Sequence, residues 1–224
     1  MSKLYIVATP IGNLDDINHR AIDTLKSVDL IACEDTRHSK ILLNHYKIKN
    51  PLLSFHSYSG RAKVDKIIDY LKKGSNVALI SDAGTPGISD PGYVLIKEAL
   101  DNDFEVIPIP GASAVTTALC ASGLPTDKFL YLGFLPAKKG RQKLLKSLEH
   151  IPYTIVFYES PHRLLKTIAD LKKYLNDETK IVIAKELTKI HETFFRGNLN
   201  NISEKLPAGK PKGEYVILIS SHKT

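Results

Sequence analysis

Residues 81–92 read "SDAGTPGISDPG" and follow directly on the apolar run "NVALI". Gly84 and Gly87 allow positive φ and close approach of the main chain to a ligand, while Pro86 and Pro91 fix the turn and remove donors that would need partners. The expected product is a rigid loop with exposed amides, from which Asp82 presents a carboxylate to a cation or to hydroxyls. Asp90 and Pro91 read as the N-cap and first residue of the next helix. The segment "PGASA", 110–114, sets Gly111 at a strand end and Ser113 near a helix start, an arrangement of free amides suited to a carboxylate or phosphate. "EDTRHS" gathers Glu34, Asp35, Arg37 and His38, with Asp35 or Thr36 able to cap the helix that follows. In "YESPHR", Ser160 and Pro161 suit a helix start and leave Glu159, His162 and Arg163 without a local role. "AKEL" and the residues after it put Lys185, Glu186 and Lys189 just past the apolar "IVIA", as a polar cleft wall or a charged hairpin turn. Neither GxGxxG, a P-loop nor GxSxG occurs, and the histidines form no metal-spaced pair.

These segments need a scaffold that brings them together. The first half alternates candidate strands at 4–9, 28–34, 51–56, 76–81 and 104–109 with stretches of helical apolar spacing. Strand–helix–strand repetition implies a parallel sheet covered on both faces. Each unusual segment of the first half, including "PIGNLDD" and "SYSG", then follows the carboxyl end of a strand, the edge where open α/β sheets bind ligands. The second half holds a helix from about Ala112 to Gly123 and strands "KFLYLGFL", "YTIVFYE", "KIVIAKEL", "ETFFRG" and "EYVILIS". The third and fourth of these are joined too tightly for a crossover, so a hairpin in a mixed sheet is expected. The expected division is an N-terminal α/β domain at 1–111 and a C-terminal α/β domain at 112–224.

The 224 residues carry a net charge of +7, unevenly placed. Residues 1–111 hold 13 Lys and Arg against 14 Asp and Glu, whereas 112–224 hold 18 against 10. A basic second half points to a polyanionic partner, nucleic acid first, with Lys138, Lys139, Arg141 and Lys143 as its expected contacts. The bland counterpart is a solvated lysine-rich face. No apolar run approaches the ~20 residues of a membrane helix and the N-terminal stretch is short for a signal peptide, so a cytoplasmic protein is expected. Cys33 and Cys120 are far apart and read as buried apolar fillers.

The ordered set "TPIGNLDDI", "EDTRHS", "SDAGTPGISDPG", "PIPGASA", "FYESPHR", "KELTKIHETFFRG" and "KGEYV" resembles the bacterial 16S ribosomal RNA (cytidine-2'-O)-methyltransferases of the tetrapyrrole methylase superfamily. The likeness runs from about Leu4 to Ile219. It implies two α/β domains of the class III methyltransferase kind, the first sheet mainly parallel and the second mixed. It also implies a homodimer that binds S-adenosyl-L-methionine in the cleft between its domains, needs no metal, and acts on a cytidine of 16S rRNA in the small subunit. By the same likeness, Asp82, Ala83, Gly84, Pro86 and Gly87 and the loop of Pro110, Gly111, Ala112, Ser113 and Ala114 line the cofactor pocket, with Pro10 nearby and Ala184 and Glu186 contributing from the second domain. Members often carry a further C-terminal segment, and this sequence ends at "LISSHKT".

Methyl transfer needs the acceptor oxygen in line with methyl and sulfur, so positioning carries much of the acceleration. A ribose hydroxyl is a weak nucleophile, which calls for a base or an orienting carboxylate. Glu34 suits that task, with Arg37 and Lys185 as cations for flanking phosphates. Two other readings fit parts of the sequence: a methylase of a tetrapyrrole or other small acceptor, and a non-catalytic rRNA-binding module.

Overall fold

The structure, a computed structural model, describes residues 2–220; the end of "LISSHKT" beyond Ser220 lies outside them. Two compact units divide the chain, Met1–Ser113 and Ala114–Thr224. In the first, β1 (Lys3–Val7), β2 (Leu30–Cys33), β3 (Leu52–Ser54), β4 (Val77–Ile80) and β5 (Glu105–Ile109) form a sheet of order β3-β2-β4-β1-β5. Every neighbouring pair is parallel. Successive side chains of a strand point to opposite faces, and here both faces are covered. Leu4, Leu30, Ala32, Val77 and Leu79 pack with Ile67, Leu71 and Leu95 of α3 (Arg61–Lys72) and α4 (Tyr93–Asp101). Val7, Ile31, Cys33, Ala78 and Ile80 pack on the other side with Ala21, Leu25 and Leu43 of α1 (His19–Ser27) and α2 (Thr36–His45). That two-sided burial is why "LIAC" and "VALI" run apolar without alternation.

The second unit is a mixed sheet of order β6-β7-β10-β8-β9, from β6 (Phe129–Phe134), β7 (Thr154–Glu159), β8 (Lys180–Lys185), β9 (Thr193–Asn198) and β10 (Tyr215–Ser220). β6 and β7 are parallel, β10 runs antiparallel to β7 and β8, and β8 with β9 makes the expected hairpin. One face buries Ile155, Phe157, Ile183 and Ile217 against α6 (Arg141–Ser147) and α7 (Leu164–Leu171), while α5 (Ala114–Cys120) packs on β10 and β7. Among the described residues no helix is long and apolar enough to cross a membrane.

The interior of this unit holds a charged network that accounts for "YESPHR". Glu159, with a fully buried side chain, pairs with Arg163 at 2.8 Å, accepts from the Ser160 amide at 2.8 Å and accepts the Thr167 hydroxyl. Arg141 donates to Thr167 Oγ1 at 2.9 Å and to Asp170 at 3.2 Å. Further donors of the two arginines reach the chain before α6: Arg163 Nη1 binds the Leu135 carbonyl at 3.0 Å and Arg141 Nη1 the Pro136 carbonyl at 3.2 Å. A buried charge is tolerable when it has partners, and both oxygens of Glu159 and all three nitrogens of Arg141 have them.

Several sequence expectations change here. Arg141 is 6% exposed and belongs to the interior, so it cannot contact a partner at the surface. Ser160 does not cap α7 directly: its hydroxyl accepts from the His162 amide within a turn, and Arg163 precedes the helix. Cys33 is buried as expected, but Cys120 is exposed at the end of α5. Glu159→Ala should destabilise the protein by roughly 3–5 kcal/mol, because it strands the Arg163 guanidinium and two donors at once. Urea unfolding of variant against wild type measures this.

Candidate active site

At the carboxyl edge of the first sheet, hydrogen bonds join the loops that the sequence scatters. The Thr9 amide donates to the Gly84 carbonyl at 2.9 Å and the Gly84 amide to the Thr9 carbonyl at 3.0 Å. Thr9 Oγ1 donates to the Ser81 carbonyl at 3.1 Å, and Ser81 Oγ to the Gly84 carbonyl at 3.2 Å. Gly84 has φ of 84°, a conformation that side-chain-bearing residues rarely adopt. From the same loop, Asp82 Oδ1 accepts from the Asp35 amide at 3.1 Å, which ties the loop after β4 to the one after β2. Thr85 Oγ1 reaches the Ala112 carbonyl at 3.5 Å, and Asn18 Nδ2 donates to the Pro110 carbonyl, which bring in the loop after β5. The loop after β3 joins through the Phe55 amide on the Cys33 carbonyl at 2.7 Å.

Charge concentrates at this edge. Burial, followed by the neighbouring Asp82, raises the Glu34 carboxyl above its ordinary range, and His56 partly offsets this. Burial likewise pushes Asp90 up to about 6; a hydrogen bond from Ser81 opposes the shift, and Glu34 and Asp82 add to it. Three carboxylates from three positions on two loops thus repel one another in a half-buried setting. Such an arrangement suits a cationic ligand, or a carboxylate that must take up a proton near neutrality. Among the described residues no group of three or more His, Cys, Asp or Glu is placed to hold a metal ion.

The residues singled out in the sequence divide into distinct settings. Glu34 and Asp82 come together as described. Ala83 is exposed beside Asp82, while Pro10 and Pro86 are buried where they close the loops on either side of the Thr9–Gly84 pair. Gly87 has φ of 84° in the same turn as Pro86. Gly111 is needed for a different reason, since a Cβ there would lie 2.9 Å from Ala8 Cβ. Its close approach is to β1's own continuation, so Gly111→Val would disturb the sheet edge. The amides of Gly111 and Ala112 take part in no backbone hydrogen bond among the described residues. Ser113 ends the first unit and Ala114 opens α5 in the second.

Arg37 is not beside Glu34's carboxyl partners: its guanidinium lies on Asp35, Nη2 to Oδ2 at 2.7 Å, with the side chain 90% exposed. That pairing and the Arg37 amide hold Asp35 well below the usual carboxylate range, and Asp35 caps α2. Lys185 and Glu186 belong to the second unit at the end of β8, where Ala184 is buried within the sheet. Glu186 adopts φ of 51°, accepts from the Glu214 amide at 2.9 Å and pairs with Lys189 at 3.1 Å. A Cβ on Gly213 would collide with that carboxylate at 2.7 Å.

Asp90 is the residue that sequence reasoning misplaced. It is no helix cap: α4 begins at Tyr93 with Gly92 before it and no side-chain cap bond. The preceding Ser89, at φ of 64°, marks a turn tighter than helix entry requires. His56 was also missed, for lack of any signal beyond its place after a strand.

The profile of the tetrapyrrole (corrin/porphyrin) methylases matches residues 3–203. The chain is 49% identical to the ribosomal RNA small subunit methyltransferase I of Synechocystis sp., over 98% of this chain and 79% of that one. It is 48% identical to the protein of the same name from Thermotoga maritima, over 98% and 99%. Among solved structures it resembles a cobalamin-biosynthetic cobalt precorrin-4 methyltransferase, with a TM-score of 0.72 and 18% identity over 97% and 94% of the two chains. A uroporphyrin-III C-methyltransferase from Thermus thermophilus, solved with S-adenosyl homocysteine, gives 0.66 and 16% over 97% of each.

The raised Asp90 pKa has a definite sign in stability. The folded protein holds a proton on Asp90 up to about pH 6, whereas the unfolded chain releases it near the ordinary aspartate value of 3.8. This group's contribution is therefore fully present below about pH 4 and is lost as pH rises through 6. Asp90→Asn should melt higher than wild type at pH 8, by a few degrees, with the gap closing by pH 4. Melting curves across that window measure it.

Proposed function

The chain belongs to the tetrapyrrole (corrin/porphyrin) methylases, and from that premise we propose that it methylates the ribose 2'-oxygen of a cytidine in 16S rRNA of the small ribosomal subunit, with S-adenosyl-L-methionine as donor. The observation that carries this reading is the near-half identity, over almost the whole chain, to enzymes named ribosomal RNA small subunit methyltransferase I. Methylases of tetrapyrrole acceptors share the fold, but such an acceptor gives no reason for a second unit with so large a basic excess.

The donor set at the first sheet's edge fits this cofactor. Clustered carboxylates with raised proton affinity match a ligand bearing sulfonium and ammonium charge, and the amides of Gly111 and Ala112 match its carboxylate. Asp82, Ala83, Gly84, Pro86 and Gly87, with Pro10 and the loop from Pro110 to Ala114, are the residues we assign to hold it; Ala184 and Glu186 are assigned from the second unit. Bound there, S-adenosyl-L-methionine supplies an electrophilic methyl group. The chain's own part is to orient the 2'-hydroxyl and take its proton. Glu34 is assigned that role because its raised pKa brings it closer to the working pH, where a general base is most effective. Arg37, exposed beyond its contact with Asp35, and Lys185 are assigned to phosphates flanking the target. A homodimer in the cytoplasm is the expected form, on the family resemblance of the seven motifs.

Glu34→Gln keeps the shape and removes the base. Its single-turnover methylation of unmodified small subunits should fall by ~100-fold or more, with both binding constants little changed. The rise of rate with pH on the acid side should vanish with it. A variant that melts early yet methylates at the normal rate when folded would make Glu34 a structural residue.

A further inference from the structure

The basic excess of the second unit is not evenly distributed. No Asp or Glu occurs between Asp127 and Glu149, a stretch that includes Lys138, Lys139, Lys143 and Lys146. All four are exposed, and none forms an ion pair among the described residues, in contrast to Lys173 and Lys189 of the same unit. Their geometry follows from what is buried beneath them. Arg141, Leu145 and Leu148, at helical spacing, face the core, which turns Lys143 and Lys146 outward on α6. Lys138 and Lys139 stand on the loop just before it, where Gly140 turns the chain at φ of 81°.

That loop is held unusually firmly for a surface segment. Its two leading carbonyls, Leu135 and Pro136, are bound by Arg163 and Arg141, and the Arg141 amide donates back to Lys138 at 3.2 Å. Both arginines are in turn fixed by Glu159, Thr167 and Asp170. A solvated lysine face needs no such foundation, whereas a surface that binds a polyanion gains from one. A backbone already fixed loses less freedom when the lysines it carries meet a partner. Four unpaired lysines also repel one another until a polyanion arrives, and lysine heads on flexible stems suit phosphates more than base edges.

We infer that the loop over residues 136–140 and the outer face of α6 form the surface that grips the phosphate backbone of the substrate RNA. This rests on the RNA-methylating reading above and adds where the RNA is held and by which groups. Arg141 acts only as a positioning residue beneath that surface.

The test replaces Lys138, Lys139, Lys143 and Lys146 together by glutamine, which is safe for folding because all four are exposed. The probe is small ribosomal subunits from cells lacking the modification, titrated from 50 to 200 mM salt. Each lost phosphate contact lowers the salt slope by about 0.7–0.9. The variant's slope should therefore be smaller by roughly three, with affinity at 50 mM salt down by about 30-fold or more. S-adenosyl-L-methionine binding by calorimetry and the melting temperature should hold. Four arginines in place of the lysines should restore the slope. Equal affinity and slope in the glutamine variant, with a wild type that binds and methylates, would overturn the inference and leave a solvated face. So would wild-type binding to phosphatidylglycerol vesicles that the variant loses while its subunit binding persists, since the surface would then serve a membrane. A wild type that neither binds nor methylates the subunits would instead bring down the functional reading itself.

Discussion

Thr9 and Gly84 exchange backbone hydrogen bonds just beyond the ends of β1 and β4. Those strands run parallel, yet the Thr9–Gly84 bridge is antiparallel. The chain leaving β4 must therefore double back within four residues, and it can do so because Gly84 takes positive φ. Everything else at the edge depends on that reversal. It sets Asp82 against the loop after β2, brings Thr85 to the loop after β5, and turns the segment around Ser89 so that Asp90 returns toward Ser81 and Glu34. A simple strand-to-helix turn after β4 would have sent these groups outward, each to its own patch of solvent.

The two units treat buried charge in opposite ways. In the second, Glu159 and Arg141 have a partner for each of their charges, and the result is a fixed interior from which the loop after β6 is suspended. In the first, Glu34, Asp82 and Asp90 are alike in sign and only partly exposed, with His56 as an incomplete offset to Glu34. A complete network specifies geometry, while an incomplete one stores a preference for something that arrives later. The contrast explains why "YESPHR" and "EDTRHS", so similar in composition, have different consequences.

Much of this was legible before any coordinates. Strand–helix–strand repetition implies both the parallel sheet and its two covered faces, and "LIAC" and "VALI" are apolar throughout because a strand buried on each side has no position where a polar residue is tolerated. The short link between "KIVIAKEL" and "ETFFRG" could only be a hairpin. What stayed hidden were contacts between distant segments. Asp90 beside Pro91 looks like a cap, since local rules see only the residues that follow. Arg141 beside three lysines looks like part of a basic surface, since charge counts say nothing of which side of α6 faces inward. The stripe of Arg141, Leu145 and Leu148 was readable as a buried face, but only by letting helical spacing overrule residue type.

Raised carboxylate pKa values at the sheet edge have a further consequence through linkage. A cation entering beside Glu34 and Asp90 favours their charged forms, so it must lower the proton affinity of both. Protons and the cation then compete, and the competition falls where Asp90 titrates, near pH 6. Below that pH Asp90 is protonated and adds no charge beside Glu34 and Asp82. Above it, the charged Asp90 adds to the repulsion from Glu34 and Asp82, which a cation would relieve. The same burial and like-charge repulsion that lower the stability of the protein at neutral pH therefore favour positive charge beside these carboxylates.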